Sequence, residues 1–179
     1  FRSLTAGSAV MAQVSYNVGA VSEYRYRGIA QTKGDPALQG GVDYANANGF
    51  YLGAWGSTIK WIKDAGSDAK GPVELDLYGG YKYEASKNLT LDFGVLAYQY
   101  PKNNLTPSAN TTELYIGAIS GPFSAKYSRS TSNLFGYTSS KGSGYLEANL
   151  DYEMAKGTNL VLHVGKQTVK NNSTASYVD

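Results

Sequence analysis

Charged side chains fall at every second position in several stretches of the chain, a spacing that sets them along one face of an extended strand. Glu23, Arg25 and Arg27 do so first, then Asp43, then Glu74, Asp76, Lys82 and Glu84. Asp92, Glu113, Lys126, Glu147, Asp151, Glu153 and His163 follow, all but Glu113 flanked by apolar neighbours on both sides. Carboxylates facing guanidinium or ammonium groups on adjoining strands form charge-assisted hydrogen bonds, bidentate in the case of arginine. Lining a narrow passage, the same groups concentrate counter-ions and sort solutes by charge. The Glu23–Arg25–Arg27 group, with an acid such as Asp43 on a neighbouring strand, has two readings. It pins the shape of the sheet, or it forms a charged constriction.

Covalent chemistry finds little support. The chain has no Cys, which excludes disulfides, thiolate zinc sites and cysteine nucleophiles, and its single histidine, His163, excludes a multi-histidine metal site. His163 near many serines has no nucleophile motif beside it and reads as a wall residue. Asp64 and Asp68 are too few, and too mixed with lysine, for a calcium loop. There is no phosphate-binding loop and no dinucleotide turn, so no cofactor, metal or catalytic residue is expected. A net charge of +2 gives no field that would recruit nucleic acid.

The elements that position these charges are strands. Val14, Tyr16, Val18, Ala20, Tyr24 and Tyr26 form an apolar face opposite Ser15, Asn17, Gly19, Glu23, Arg25 and Arg27, which predicts one long first strand. The same alternation recurs around Leu38–Tyr44, Val73–Glu84, Leu89–Tyr98, Glu113–Ala118, Phe123–Ser128, Tyr145–Met154 and Leu160–Gln167, and residues 50–59 are apolar on both faces. Nine strands are read, with no helix longer than a turn. Short connections rich in Gly, Asn and Pro (45–49, 86–88, 120–122, 155–157) take turns with long ones (28–37, 60–72, 101–110, 131–143). That order places every tight turn at one end and every long loop at the other, the construction of an up-and-down transmembrane barrel.

Only 17% of the chain is charged, against a usual ~25% for soluble domains, and there are 16 tyrosines. Tyr16, Tyr24, Tyr26, Tyr44, Tyr81, Tyr83, Tyr127 and Tyr152 recur near strand ends on the apolar face, as an interfacial aromatic girdle would. Residues 1–12 read as a secretory signal remnant, with Val10 and Ala12 as its small residues, or as an N-terminal arm. Residues 13–179 then form a single β-barrel domain. Even strand numbers are the rule for such barrels, so the C-terminus reads as incomplete, with Ser-Tyr-Val-Asp179 opening a tenth strand.

The block Ser22-x-Tyr24-x-x-Arg27-Gly28-x-x-Gln31-Thr32, then Pro36-Ala37-x-Gln39-Gly40-Gly41-Val42-Asp43-Tyr44 and Gly49-Phe50-Tyr51-x-Gly53-x-Trp55-x-Ser57, resembles the TorF-type porin family of proteobacteria, proteins of unknown function. Glu74-x-Asp76 and Gly80-Tyr81 continue the likeness. It implies an exported outer-membrane barrel with a diffusion-pore role, about 10–12 strands in the complete protein, and no catalytic residues to carry over.

The expectation is therefore an all-β, antiparallel outer-membrane barrel that passes small solutes. Its pore-lining residues would be Glu23, Arg25, Arg27, Asp43, Glu74, Asp76, Lys82, Asp92, Glu113, Lys126, Glu147, Asp151 and His163. Acids outnumber bases on that face, which predicts a cation preference. Lysines in the long loops (Lys33, Lys60, Lys63, Lys70, Lys102, Lys141) could pair with lipopolysaccharide phosphates. Two alternatives stay open: a closed small barrel with a structural or adhesion role, and a secreted soluble β-protein that binds a ligand. Polar-face Gly41, Gly94, Gly117 and Gly165 argue for interior space, and Tyr78, Tyr98, Tyr115 and Tyr145 for filling.

Overall fold

Alternation of polar and apolar side chains over eight or more residues leaves an antiparallel sheet as the natural way to segregate them. The computed structural model, which describes residues 12–179, contains one such sheet. Its strands are β1 (Gln13–Val21), β4 (Ala37–Ala45), β5 (Phe50–Thr58), β6 (Val73–Ser86), β7 (Leu89–Gln99), β8 (Thr111–Ser120), β9 (Phe123–Ser130), β10 (Gly144–Ala155), β11 (Thr158–Thr168) and β12 (Tyr177–Val178). A separate hairpin, β2 (Arg25–Tyr26) and β3 (Ile29–Ala30), lies between β1 and β4. One helical turn, α1 (Trp61–Asp64), sits in the β5–β6 loop. Each sheet strand pairs antiparallel with its sequence neighbour, in the order β1-β4-β5-β6-β7-β8-β9-β10-β11-β12.

The two faces are inverted relative to a water-soluble sheet. Leu77 (53% exposed), Leu114 (56%), Ile116, Leu146, Leu162 and Val164 stand outward and uncovered. On the opposite face Glu74 (1%), Asp92 (3%) and Glu113 (2%) are buried with Tyr98, Tyr145, Ser128 and Gln167. Registry explains how bulky and absent side chains share that face. The cross-strand row Tyr51–Gly80–Gly94–Tyr115–Ser128–Tyr145–Gln167 runs from β5 to β11. A Cβ on Gly94 would collide with the Tyr115 ring, and one on Gly53 would lie 2.5 Å from the Tyr78 ring. Tyrosine on one strand therefore lies across glycine on the next, so the space those glycines leave is occupied.

The sheet is curved around its polar face. Strands are spaced ~4.8 Å apart, so a flat sheet would hold β8 and β11 roughly 14 Å apart. Yet one guanidinium nitrogen of Arg27 donates to both Glu113 on β8 and Gln167 on β11. The apolar core is at the long-loop end, where Ile59, Ile62, Ala69, Tyr98, Tyr100 and Ala109 pack with Trp61, Leu105 and Phe135.

Most of the sequence reading stands: the all-β class, the alternating faces of the strands after the first, and the order of short and long connections. Residues 50–59, ambiguous by pattern, place Tyr51, Gly53, Trp55 and Ser57 on the polar face, paired through β6 with Gly80, Tyr78, Asp76 and Glu74. A tenth sheet strand does begin at Tyr177. The first strand is corrected. It ends at Val21 and does not run on to Arg27, because the next residues fold back as the β2–β3 hairpin. Residues 1–11 of the expected leader or arm lie outside the described residues.

Candidate functional site: a hairpin seated on the polar face

The hairpin forms where local geometry and buried charge agree. Arg27 and Gly28 are its two central residues and both have positive φ, 46° and 71°, as a type I′ two-residue turn requires. Glycine takes that conformation freely, whereas for arginine it costs ~1–2 kcal/mol. Backbone bonds close the unit, with Gln31 N–H donating to Tyr24 O at 2.7 Å and Lys60 N–H to Gln31 O at 2.9 Å. The Tyr24 N–H donates to Thr32 Oγ1 at 3.1 Å.

Three side chains then fasten it to the sheet. Arg27 forms a bidentate pair with Glu113, Nη2 to Oε2 at 2.7 Å and Nη1 to Oε1 at 2.9 Å, with both side chains almost wholly buried. Its guanidinium also donates to Gln167 Oε1 at 3.2 Å and lies 4.1 Å from the centre of the Tyr145 ring. The Tyr24 hydroxyl donates to Glu74 Oε1 at 2.7 Å, and the Tyr100 hydroxyl donates to the other oxygen of Glu74 at 2.7 Å. Tyr26 shares a hydrogen bond with the Tyr98 hydroxyl and packs edge-on to Phe135. Burial pushes the Tyr24 and Tyr26 hydroxyls well above their usual pKa, so both stay neutral. A buried guanidinium without such partners would be severely penalised, so the Arg27–Glu113 pair fixes where the hairpin tip can rest.

Below this hairpin a second layer of polar groups follows the sheet. Tyr78 donates to Asp43, and Tyr51 donates to Asp92 at 2.6 Å while sharing a bond with Tyr115. Lys126 pairs with Glu147 at 2.9 Å and approaches the Tyr115 ring, and Lys82 approaches the Tyr51 ring. His163 contacts Asn149 through Nδ1, and its Nε2 lies 3.1 Å from the Tyr145 hydroxyl and 3.2 Å from Asp179 Oδ2. Asn159 donates to Asp151 at 2.8 Å, and Asp76 is flanked on the same face by Trp55 and Tyr98.

Ten of the thirteen residues singled out in the sequence thus share the polar face of the sheet: Asp43, Glu74, Asp76, Lys82, Asp92, Glu113, Lys126, Glu147, Asp151 and His163. The other three do not stand on a strand of that sheet. Glu23, Arg25 and Arg27 belong to the segment that folds back, and Arg25 pairs with Glu23 at 2.5 Å. Arg27 pairs with Glu113 and not with Asp43, which takes the Tyr78 hydroxyl instead. Tyr24 and Tyr26 leave the expected girdle, because buried carboxylate and phenol partners draw them inward. The lysine loops make exposed ion pairs within the protein, Lys33 with Asp64 and Lys60 with Asp35.

The sequence matches, over residues 5–179, the family described as "Bacterial protein of unknown function (Gcw_chp)". The chain belongs to this family. No curated protein and no solved structure matched the chain. Among the described residues no cluster of acidic and histidine side chains is arranged to hold a metal ion, and no helix is long and apolar enough to cross a membrane. For this Gcw_chp member, the arrangement can bind by charge and hydrogen bonding and can shape a passage.

Proposed function

We propose that this Gcw_chp protein is an outer-membrane β-barrel of the porin type. Its apolar face meets lipid, and its polar face lines a lumen through which small solutes pass, narrowed at the long-loop end by the β2–β3 hairpin. The observation that carries the reading is the inversion of the sheet: Leu77, Leu114 and Leu162 uncovered while Glu74, Asp92 and Glu113 are buried. Water penalises the uncovered apolar face, which a bilayer favours, while the buried acids are satisfied by donors within the protein. The loop order and the resemblance of residues 22–57 to TorF-type porins point the same way.

The lumen favours cations. Asp43, Asp76, Asp92, Glu147 and Asp151 share the polar face with Lys82 and Lys126, and the one arginine inserted among them, Arg27, is neutralised by Glu113. A path lined by excess negative charge concentrates cations. The test is reconstitution in a planar bilayer with a salt gradient. A conducting, cation-selective protein is expected, with selectivity that fades toward 1 M salt as screening shortens to ~3 Å. Anion selectivity refutes the charge assignment.

A second reading has its own observation. The tyrosines laid over glycines fill interior space, as they would in a small barrel with a structural or adhesion role. A protein that inserts, resists extraction without detergent and never conducts would favour it.

A further inference from the structure

The outward face of the sheet is free of charge with two exceptions. Among the described residues, its strands carry two charged side chains there, Arg129 on β9 and Lys166 on β11, and both are basic. Register puts them on that face, since Arg129 pairs with Leu114 and Gly144, and Lys166 pairs with Leu146. Each stands near the long-loop end of its strand, where the apolar alternation of Phe123, Ala125 and Tyr127 or of Leu160, Leu162 and Val164 has ended.

The adjoining loops bring further cations to the same place. Lys170 N–H donates to Ser143 Oγ at 2.9 Å, Asn171 donates to Ser139 O at 3.0 Å, and Gly142 N–H donates to Ser130 O at 3.0 Å. Those bonds tie the 131–143 loop to the segment after β11 and to the end of β9. Two cations converge over Gly142, where Arg129 Nη2 and Lys170 Cδ lie 3.6 and 3.7 Å from the point a Cβ would take. Lys141 precedes that glycine in the chain. Arg129, Lys141, Lys166 and Lys170 are exposed, and none has an ion-pair partner among the described residues, whereas Lys33 and Lys60 each have an aspartate. The Tyr127 hydroxyl leans over Gly144 beside Arg129, 2.7 Å from where a Cβ would stand, with no hydrogen-bond partner among the described residues.

Like charges gathered without an acid repel one another, and a bound anion relieves them. Toward the short turns the same face becomes apolar. Tyr127, Leu146 and Val164 are uncovered, and the cross-strand row Ala118–Ala125–Ala148 forms a shallow strip between them and Phe123, Leu150 and Leu162. A ligand that satisfies both levels carries phosphate above and hydrocarbon below. We propose that Arg129, Lys166 and Lys170 hold a phosphate of lipopolysaccharide, with its acyl chains laid over the alanine row. The proposal rests on the membrane reading above, in which the long loops mark the outer rim. Arginine offers paired donors and lysine a point charge, and Lys166 reaches up from the edge of the apolar band.

Binding by the whole protein in detergent micelles tests this, with lipid A carrying two phosphates as the probe and the same lipid stripped of both as the reference. Native mass spectrometry counts the bound lipid. A preference of about tenfold or more for the phosphorylated form is expected. Arg129→Gln, Lys166→Gln and Lys170→Gln should each lower it about fivefold, and Lys166→Arg should keep it. Lys33→Gln with Lys60→Gln should leave it unchanged. Denaturation midpoints establish that each variant folds as the parent does, and Lys170→Glu, in a loop, serves if a strand variant is unstable. Equal binding of the two lipids, or a preference that survives loss of both Arg129 and Lys170, overturns the proposal. Phosphatidylglycerol binding as tightly as lipid A overturns it in favour of a general anionic attraction. An acyl-free glucosamine disaccharide bisphosphate binding as tightly overturns it in favour of a free-phosphate site. If the protein stays dissolved without detergent, the membrane reading fails whatever lipid binds. In a protein that needs detergent, the lipid comparisons judge the site alone.

Discussion

The arc of sheet beneath the hairpin and the seam beside β1 and β11 share a two-residue alternation and have opposite environments. Under the hairpin, Glu74, Asp92 and Glu113 of β6 to β8 are buried, each with a partner from the hairpin or another strand. At the seam, Ser15 and Asn17 on β1 and Asn159 and Val161 on β11 face the same side and are exposed. Alternation is equally strict in both. What differs is whether something is laid over the polar face. Burial of Glu74 and Glu113 thus draws on the inserted segment 22–36, whose Tyr24 and Arg27 reach them.

That contrast can be broken at the hairpin first. Glu113→Ala leaves the Arg27 guanidinium buried without its carboxylate and is expected to cost about 3–5 kcal/mol in denaturant titrations in micelles. Adding Arg27→Met to that change removes the orphaned charge and should recover much of the loss. If Glu113→Ala is nearly silent, the hairpin is not held where the structure puts it. The outward face comes next. Ile116→Arg, central on β8, is expected to cost about 2–4 kcal/mol in a bilayer, while Asp151→Arg at the exposed seam should stay within about 0.5 kcal/mol. Equal costs would mean that the faces are exchanged.

Packing between tyrosine and glycine gives a smaller effect. Gly94→Ala places a methyl group against the Tyr115 ring and the Gly79 carbonyl, and about 1–3 kcal/mol of overpacking is expected. The change should be far milder in a Tyr115→Ala background, which double-mutant analysis would reveal. Smallest is Lys60→Ala in the loops. It removes an ion pair with Asp35 in which both side chains are about half exposed, worth ~0–1 kcal/mol and vanishing at high salt.

The legible part of the fold was the part governed by local period. From Leu38 onward, each run of alternation became a strand, and even Tyr177 to Asp179 took its place beside β11. The site was harder to read for a physical reason. Tyr24, Arg25 and Tyr26 continue the alternation of Val14–Ala20, so period alone cannot separate a long strand from a strand followed by a folded-back hairpin. The Arg27-Gly28 pair carried the available signal, since a two-residue turn needs positive φ at both positions. The partners of Arg27 were beyond any local pattern. Glu113 and Gln167 are 86 and 140 residues away and meet it only because the sheet curves. Tyrosines on the polar face were read as filling and glycines as space. Only the register shows that one occupies the other.

The central claim is that the apolar face lies in lipid and the polar face does not. Nitroxide labels at Leu77, Leu114 and Leu162, and at Ser15, Asn149 and Asp151, in protein reconstituted into bilayers would test it most directly. Collision rates with oxygen, which partitions into lipid, are compared with those of a water-soluble nickel chelate. Oxygen should dominate at the three leucine positions and nickel at the other three. Nickel-dominated relaxation at Leu77, Leu114 and Leu162 would contradict the account.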